Sequence, residues 1–361
     1  NGAVLASSGA PTSEAAVVWR TPAFRLALAA FPLWCTVSVL IFPAPWLLRV
    51  LVAGLFGLTV VLPHAGLLTL AAIVPLSHVT HGLSLQPFRV AEAAVLAFFA
   101  GWLVRMRSDR RGPRVPGTVA WVLAAVVGAG NVSAMWNAGA IPGEASNTAL
   151  EGLGLMAATV TLFRARPRLA HDVPVAMVSS AVAGAAAGVF LTGGVSASYL
   201  AAMLCVAAGM AASTTRRAGG EWLMWCAAAC ALIIGLYLAS SSNGGLVWVR
   251  GGLASAWTDH CAGPAGALYA LASLTMSGLI WLRAGRALAR RPRDLRVLGC
   301  AGGMTVVMAT WLAGPCRATS DSAFSMWILV GLVAGLSGSV LIATSALTSK
   351  PAQPGADALR A

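Results

Sequence analysis

The chain has 361 residues, of which 58% are hydrophobic and only 10% charged, against about 25% charged residues in an average soluble domain. Its net charge is +13 and its pI is near 10.9, yet no basic run is long enough to track a phosphate backbone, so no nucleic acid partner is expected. The arginines fall instead in short gaps between apolar runs, where lipid headgroups and the positive-inside bias put them.

Residues 1–23, through Ser7, Ser8, Pro11 and Ser13, are small and polar and read as a flexible tail without the cleavage pattern of a secretory signal. A helix needs about 20 apolar residues to cross the hydrocarbon core. Stretches of that kind fall at 24–42, 46–62, 65–82, 89–106, 117–138, 148–163, 173–191, 195–213, 221–240, 264–283, 295–314 and 323–347. The first two are separated only by Pro43-Ala-Pro45, and 148–163 is short. The runs are continuous rather than alternating, which excludes a transmembrane β-barrel. The expected fold is all-α, a polytopic integral membrane protein of about twelve transmembrane helices over 24–348, with a second tail at 349–361.

Charge orients these helices. Arg105, Arg107, Arg110, Arg111 and Arg114 occupy one loop; Arg164, Arg166 and Arg168, then Arg216 and Arg217, then Arg283, Arg286, Arg290, Arg291, Arg293 and Arg296 follow in every second loop. With Arg20, Arg25, Lys350 and Arg360 at the tails, 20 of the 24 basic residues share one face, against Arg49, Arg89, Arg250 and Arg317 on the other. The rich face is expected to be cytoplasmic, with both tails on it. Gly184-Ala-Ala-Ala-Gly188 and Gly331-Leu-Val-Ala-Gly335 fit small-residue helix contacts and are read as packing.

In that orientation the polar residues gather at the outer end. His78 and His81 end the third stretch, Gln86 and Arg89 follow, and Glu92 lies one turn into the fourth. Asn131, Asn137, Glu144 and Asn147 surround the next outer loop, Glu151 begins the sixth stretch, and Ser196, Ser198 and Tyr199 open the eighth. Arg250, Asp259 and His260 lie in the longest outer loop, and Arg317 and Asp321 in the last. Plain explanations exist for each: a helix-start ion pair for Arg89 and Glu92, a helix dipole for Glu151, ordinary loop positions for Arg250, His260 and Arg317. Taken together, four arginines kept on the face that topology disfavours point to an outward-facing anionic ligand. His78 and His81 share a helical face but have no further ligand nearby, so no metal is expected.

Cys35, Cys205, Cys226, Cys230 and Cys300 lie in apolar runs and read as inert core residues. Cys261 and Cys316 are the outer-loop cysteines, and a disulfide between them is expected. No nucleotide-binding glycine loop, paired catalytic carboxylate motif, nucleophile elbow or zinc-ligand run is present, which argues against ATP coupling within this chain.

Several segments, in order, resemble the O-antigen ligase and O-antigen polymerase family of bacterial envelope glycan enzymes. They are Leu83-Ser-Leu-Gln-Pro-Phe-Arg-Val-Ala-Glu-Ala-Ala-Val-Leu with Trp102-Leu-Val-Arg105, and Leu150-Glu-Gly-Leu-Gly-Leu running to Arg164-Ala-Arg-Pro-Arg168. Leu191-Thr-Gly-Gly-Val-Ser-Ala-Ser-Tyr-Leu-Ala, Gly263-Pro-Ala-Gly-Ala-Leu-Tyr-Ala-Leu and Trp327-Ile-Leu-Val-Gly-Leu continue the pattern, which covers most of residues 45–345. The chain departs from that family in its Ser241-Ser-Asn-Gly-Gly245, where a Ser-Arg-Gly signature is usual, in a shorter external loop, and in His260-Cys261, where His-Asn is usual.

The resemblance implies transfer of a glycan from a polyprenyl-diphosphate carrier to an acceptor glycan or lipid at the outer face of a bacterial plasma membrane. By position, Arg250 and His260 correspond to the diphosphate-engaging arginine and the base, with Arg89, Glu92 and Arg317 as supporting residues. Guanidinium groups stabilise charge on a leaving diphosphate, and a near-neutral base takes the acceptor hydroxyl's proton, so neither step requires a metal or other cofactor. Two alternatives stay open: a transporter or flippase for an anionic or lipid-linked substrate, and a non-catalytic scaffold of an envelope-assembly complex.

Overall fold

The computed structural model describes residues 45–76, 84–85, 88–109, 143–190, 197–214, 219–242, 263–290, 294–313 and 324–337. This part of the chain is all-α apart from one minimal ladder. Its helices are α1 (Pro45–Val61), α2 (Pro63–Leu76), α3 (Val90–Asp109), α4 (Gly143–Ala165) and α5 (Leu169–Phe190). They continue as α6 (Ala197–Thr214), α7 (Gly219–Ser242), α8 (Gly263–Arg290), α9 (Arg296–Ala313) and α10 (Phe324–Ser337). Strands β1 (Ser84–Leu85) and β2 (Phe88–Arg89) pair antiparallel, Ser84 opposite Arg89, immediately before α3. The expected stretches 24–42 and 117–138 and both tails lie outside the described residues.

Helix boundaries follow local chemistry. Proline at the first position suits both α1 and α2, since its missing N–H is one that a helix start leaves unbonded anyway. Only Leu62 separates the two helices, and its carbonyl accepts from the amides of Ala65 (2.9 Å) and Gly66 (3.0 Å), so the chain turns there without losing backbone bonds. Two helices outrun the apolar pattern. α4 begins at Gly143 and takes in Glu144 and Asn147, expected in a loop, and α8 runs on through Arg283, Arg286 and Arg290. Polar and basic residues are good enough helix formers to extend a helix beyond its apolar segment, which hydropathy alone does not register.

Packing depends on close approach of small residues. α6 and α9 meet at Gly209 and Gly299, where an added Cβ on Gly299 would stand 2.9 Å from the Cys205 carbonyl oxygen and 3.0 Å from the Gly209 Cα. Gly303 sits as tightly, 2.8 Å from the Ala202 carbonyl oxygen by the same construction. The Gly331/Gly335 pair read from the sequence packs against α4, at Thr159 and Phe163. Close approach of this kind adds backbone dispersion contact to the burial of the apolar side chains around it. Buried hydroxyls are satisfied within their own helices: Thr59 donates to the Leu55 carbonyl (2.7 Å) and Thr159 to that of Leu155 (2.8 Å).

Among the described residues one segment, Leu169–Ala186 of α5, is both long and apolar enough to cross a membrane. Leu48–Val61, Pro63–Val74, Tyr199–Thr214, Glu221–Tyr237, Arg296–Ala309 and Phe324–Ser337 are shorter apolar helices.

Candidate functional site

Of the residues expected at the outer end, Glu92 and Glu151 come together, on α3 and α4. These helices touch where an added Cβ on Gly154 would meet the Phe99 ring at 2.9 Å. Glu92 lies in the first turn of α3, directly after Arg89 closes β2. Its carboxylate is within electrostatic reach of Glu151 on α4. Glu151 was expected at a helix start, with the dipole as its plain explanation. α4 instead begins at Gly143, so Glu151 stands about two turns in, beyond the reach of the N-terminal dipole.

Beside this pair sits a tryptophan that the sequence does not single out. The Trp327 indole of α10 lies so close to Gly152 that only glycine fits there. Both the Trp327 Nε1 and the Glu151 Oε2 are buried without a hydrogen-bond partner among the described residues. Each orphan costs about 1–3 kcal/mol, and orphans of this kind are the ones that call for a functional explanation. The legible signal was Glu151-Gly-Leu-Gly154, a charged residue followed by two glycines inside an apolar run.

The remaining site residues fare differently. Arg250, His260 and Arg317 lie outside the described residues, as do Cys261, Cys316, His78 and His81. Tyr199, counted with the outer polar set, is fully buried, and its hydroxyl donates to the Met177 carbonyl at 3.2 Å, tying α6 to α5. Cys205, Cys226, Cys230 and Cys300 are free thiols, and Cys230 is exposed rather than in the core. Among the described residues no group of three His, Cys, Asp or Glu side chains comes together as a metal site.

A second polar cluster lies at the opposite end. Arg166, in the turn between α4 and α5, donates from Nη1 to His64 Nε2 at 2.7 Å, which requires the neutral Nδ1–H tautomer of His64 at the start of α2. Burial, and then the adjacent Arg166 guanidinium, hold the His64 imidazole down to about 4, with Asp172 opposing. His171 Nδ1 stands 3.5 Å from Asp172 Oδ1, and its ring meets Trp225 edge-on at 6.4 Å. Farther along, Arg296 grips Asp294 through two bonds of 2.6 and 2.8 Å at the start of α9.

No protein-family model matches the chain, and no curated protein and no solved structure matches it significantly.

Proposed function

We propose that the chain is a polytopic envelope-membrane protein of about twelve spans that transfers a glycan from a polyprenyl-diphosphate carrier to an acceptor glycan or lipid at the outer face. The observation that carries the reading is the segregation of polar chemistry. A carboxylate pair, Glu92 with Glu151, lies at one end of an apolar bundle, and an arginine-rich rim at the other. The membrane itself is supported by the helix exteriors, where Ile233, Ile234 and Tyr237 of α7 and Leu271, Leu274 and Leu282 of α8 are exposed. Apolar surface on that scale is costly in water and neutral in lipid. Two contacts between helices agree with the orientation drawn from charge. His64 with Arg166, and Gly209 with Gly299, each join residues that the charge bias assigns to the cytoplasmic side.

In this reading Arg250, with Arg89 and Arg317, holds the diphosphate and stabilises the charge that develops as it leaves. His260 accepts the proton of the attacking hydroxyl, and Glu92 lies on the wall of the same cavity. The protein belongs to a bacterial plasma membrane, with both tails cytoplasmic.

A transporter or flippase is the second reading, favoured by one observation: Glu151 lies two turns inside α4 rather than at its mouth, with one carboxylate oxygen buried and unpartnered. Reconstituted protein supplied with lipid-linked glycan and acceptor separates the two. For a transferase, His260→Ala abolishes product while carrier binding survives, Arg250→Ala lowers both, and Glu151→Gln is mild. Unchanged product formation in the first two variants, with carrier translocation lost in Glu151→Gln, would establish the transporter instead.

A further inference from the structure

We propose that the turn between α4 and α5 is a binding site for the phosphate of an anionic lipid at the cytoplasmic face. The inference rests on the membrane reading above but not on glycan transfer. Three arginines, Arg164, Arg166 and Arg168, fall within five consecutive residues. The turn that carries them is fixed. The Arg166 amide bonds to the Leu162 carbonyl (2.9 Å), the Leu169 amide to the Arg166 carbonyl (3.1 Å), and the His171 and Asp172 amides to the Arg168 carbonyl (2.9 and 3.1 Å). The three guanidinium groups therefore issue from a backbone that has little freedom left to lose on binding.

Two side-chain observations turn this basic turn into a site. Arg166 is exposed, and an exposed arginine ordinarily samples many rotamers, but here its Nη1 is bonded to His64 at 2.7 Å. His64 is thus a positioning residue. It occupies one N–H of the guanidinium fork, and the others have no partner among the described residues. The second observation is that Arg164 Nε is buried and also without a partner among the described residues. Arginine donors in a fork match phosphate oxygens bidentately, and basic pockets between helices on the cytoplasmic side are where lipid headgroups dock. Asp172, which acts electrostatically on His64 and lies 3.5 Å from His171, is the acidic group at the edge of the cluster. Three arginines against one aspartate leave the turn strongly positive.

The plain alternative is that the arginines serve only topology and the negative end of the α4 dipole. Full-length protein incorporated into zwitterionic vesicles, with and without phosphatidylglycerol, tells the two apart. Flotation reads insertion, and native mass spectrometry of the released protein reads retained lipid. The expected result is retained phosphatidylglycerol that falls about fivefold for each of Arg164→Gln and Arg166→Gln, while Arg286→Gln and Arg290→Gln on α8 leave it unchanged. His64→Ala should lower retention by a smaller factor, and His64→Gln, which still offers an acceptor to Arg166, should restore it. Inorganic phosphate added in excess identifies the source: a lipid site keeps its phosphatidylglycerol, and loss of it to free phosphate overturns the lipid assignment. Equal losses from the α8 variants, or no retained lipid in protein that floats, overturn the site itself. Protein that fails to float with any vesicle refutes the membrane reading instead, so the two failures are distinguishable.

Discussion

Helices α10 and α7 have similar apolar character and opposite surroundings. Every position of α10 from Phe324 to Leu336 is buried, whereas along α7 between Glu221 and Tyr237 only Trp225, Leu232 and Gly235 are. Those three recur at seven and three residues, which places them on one face of a helix. Tyr237 is 69% and Leu223 64% exposed on the rest of it. Hydropathy states how strongly a helix avoids water but not what covers it. For α10 the cover is protein on all sides, the condition of a central helix. For α7 much of the apolar surface is left uncovered, and in the membrane reading proposed above lipid is the medium that would cover it.

The sharpest way to break this comparison is to place a charge on the outward face. Ile234→Arg in α7 puts a guanidinium where Ile234 is 60% exposed. In lipid the substitution should cost about 2.5–3.5 kcal/mol at mid-span. Membrane-inserted yield and the thermal midpoint in mild detergent should both fall. A soluble protein would tolerate the same change on an exposed position, so an unchanged midpoint together with higher aqueous solubility would overturn the lipid-facing assignment of α7.

Next in size is the seam between α6 and α9, set against the outward glycines of α8. Gly299→Ala drives a methyl group to 2.9 Å from the Cys205 carbonyl oxygen and 3.0 Å from the Gly209 Cα. Both neighbours are backbone and cannot rotate away, so the helices must separate, at about 1–3 kcal/mol. Gly278→Ala and Gly285→Ala meet nothing within 4 Å, and each should be neutral or stabilise by about 0.5–1 kcal/mol through helix propensity. Thermal unfolding of the three variants in one detergent checks the contrast. Equal effects at all three positions would mean that the seam is not the close contact described.

How much of this was legible in the sequence depends on which physical quantity each feature obeys. The apolar runs gave the helix order, and α1, α3, α6 and α9 begin and end within about three residues of the expected boundaries, because a long continuous apolar run bounded by charged and turn residues is a strong helix signal. The Gly331/Gly335 spacing gave a true contact, with α4 as its partner. The tighter seam at Gly209, Gly299 and Gly303 went unseen, since its partners are more than eighty residues apart and nothing local distinguishes those glycines from the other 36. At the site, Glu92 and Glu151 were each assigned to the same end, but their approach to one another was not read from the sequence, since it depends on how α3 packs against α4. Nor was the depth of Glu151, because it depends on where α4 starts, and that is set by capping and tertiary contact rather than by hydropathy. His64 with Arg166 was invisible for the same reason as the glycine seam: the bond spans 102 positions of sequence.

The smallest effect tests the rim rather than the faces, and it concerns pH. His64 is held neutral in the folded protein, at about 4 against an ordinary value of 6.5, by burial first and then by Arg166. Between those two values the unfolded chain binds the additional proton, so stability rises with pH across the window. The contribution is therefore complete above about pH 6.5 and is lost as the pH falls toward 4, where protonation removes the acceptor that Arg166 uses. His64 is only partly buried and its partner Arg166 is exposed, and solvent screening reduces such an effect to about 1 kcal/mol or less. The measurement is the difference in thermal midpoint between about pH 7 and about pH 5 for the parent chain and for His64→Gln. Glutamine keeps an acceptor for Arg166 but does not titrate, so it should retain most of the neutral-pH stability and show a smaller fall on acidification. Equal falls in the two proteins would assign the acid sensitivity to other groups and leave the bond between α2 and the α4–α5 turn without a measurable share in holding the arginine-rich rim together.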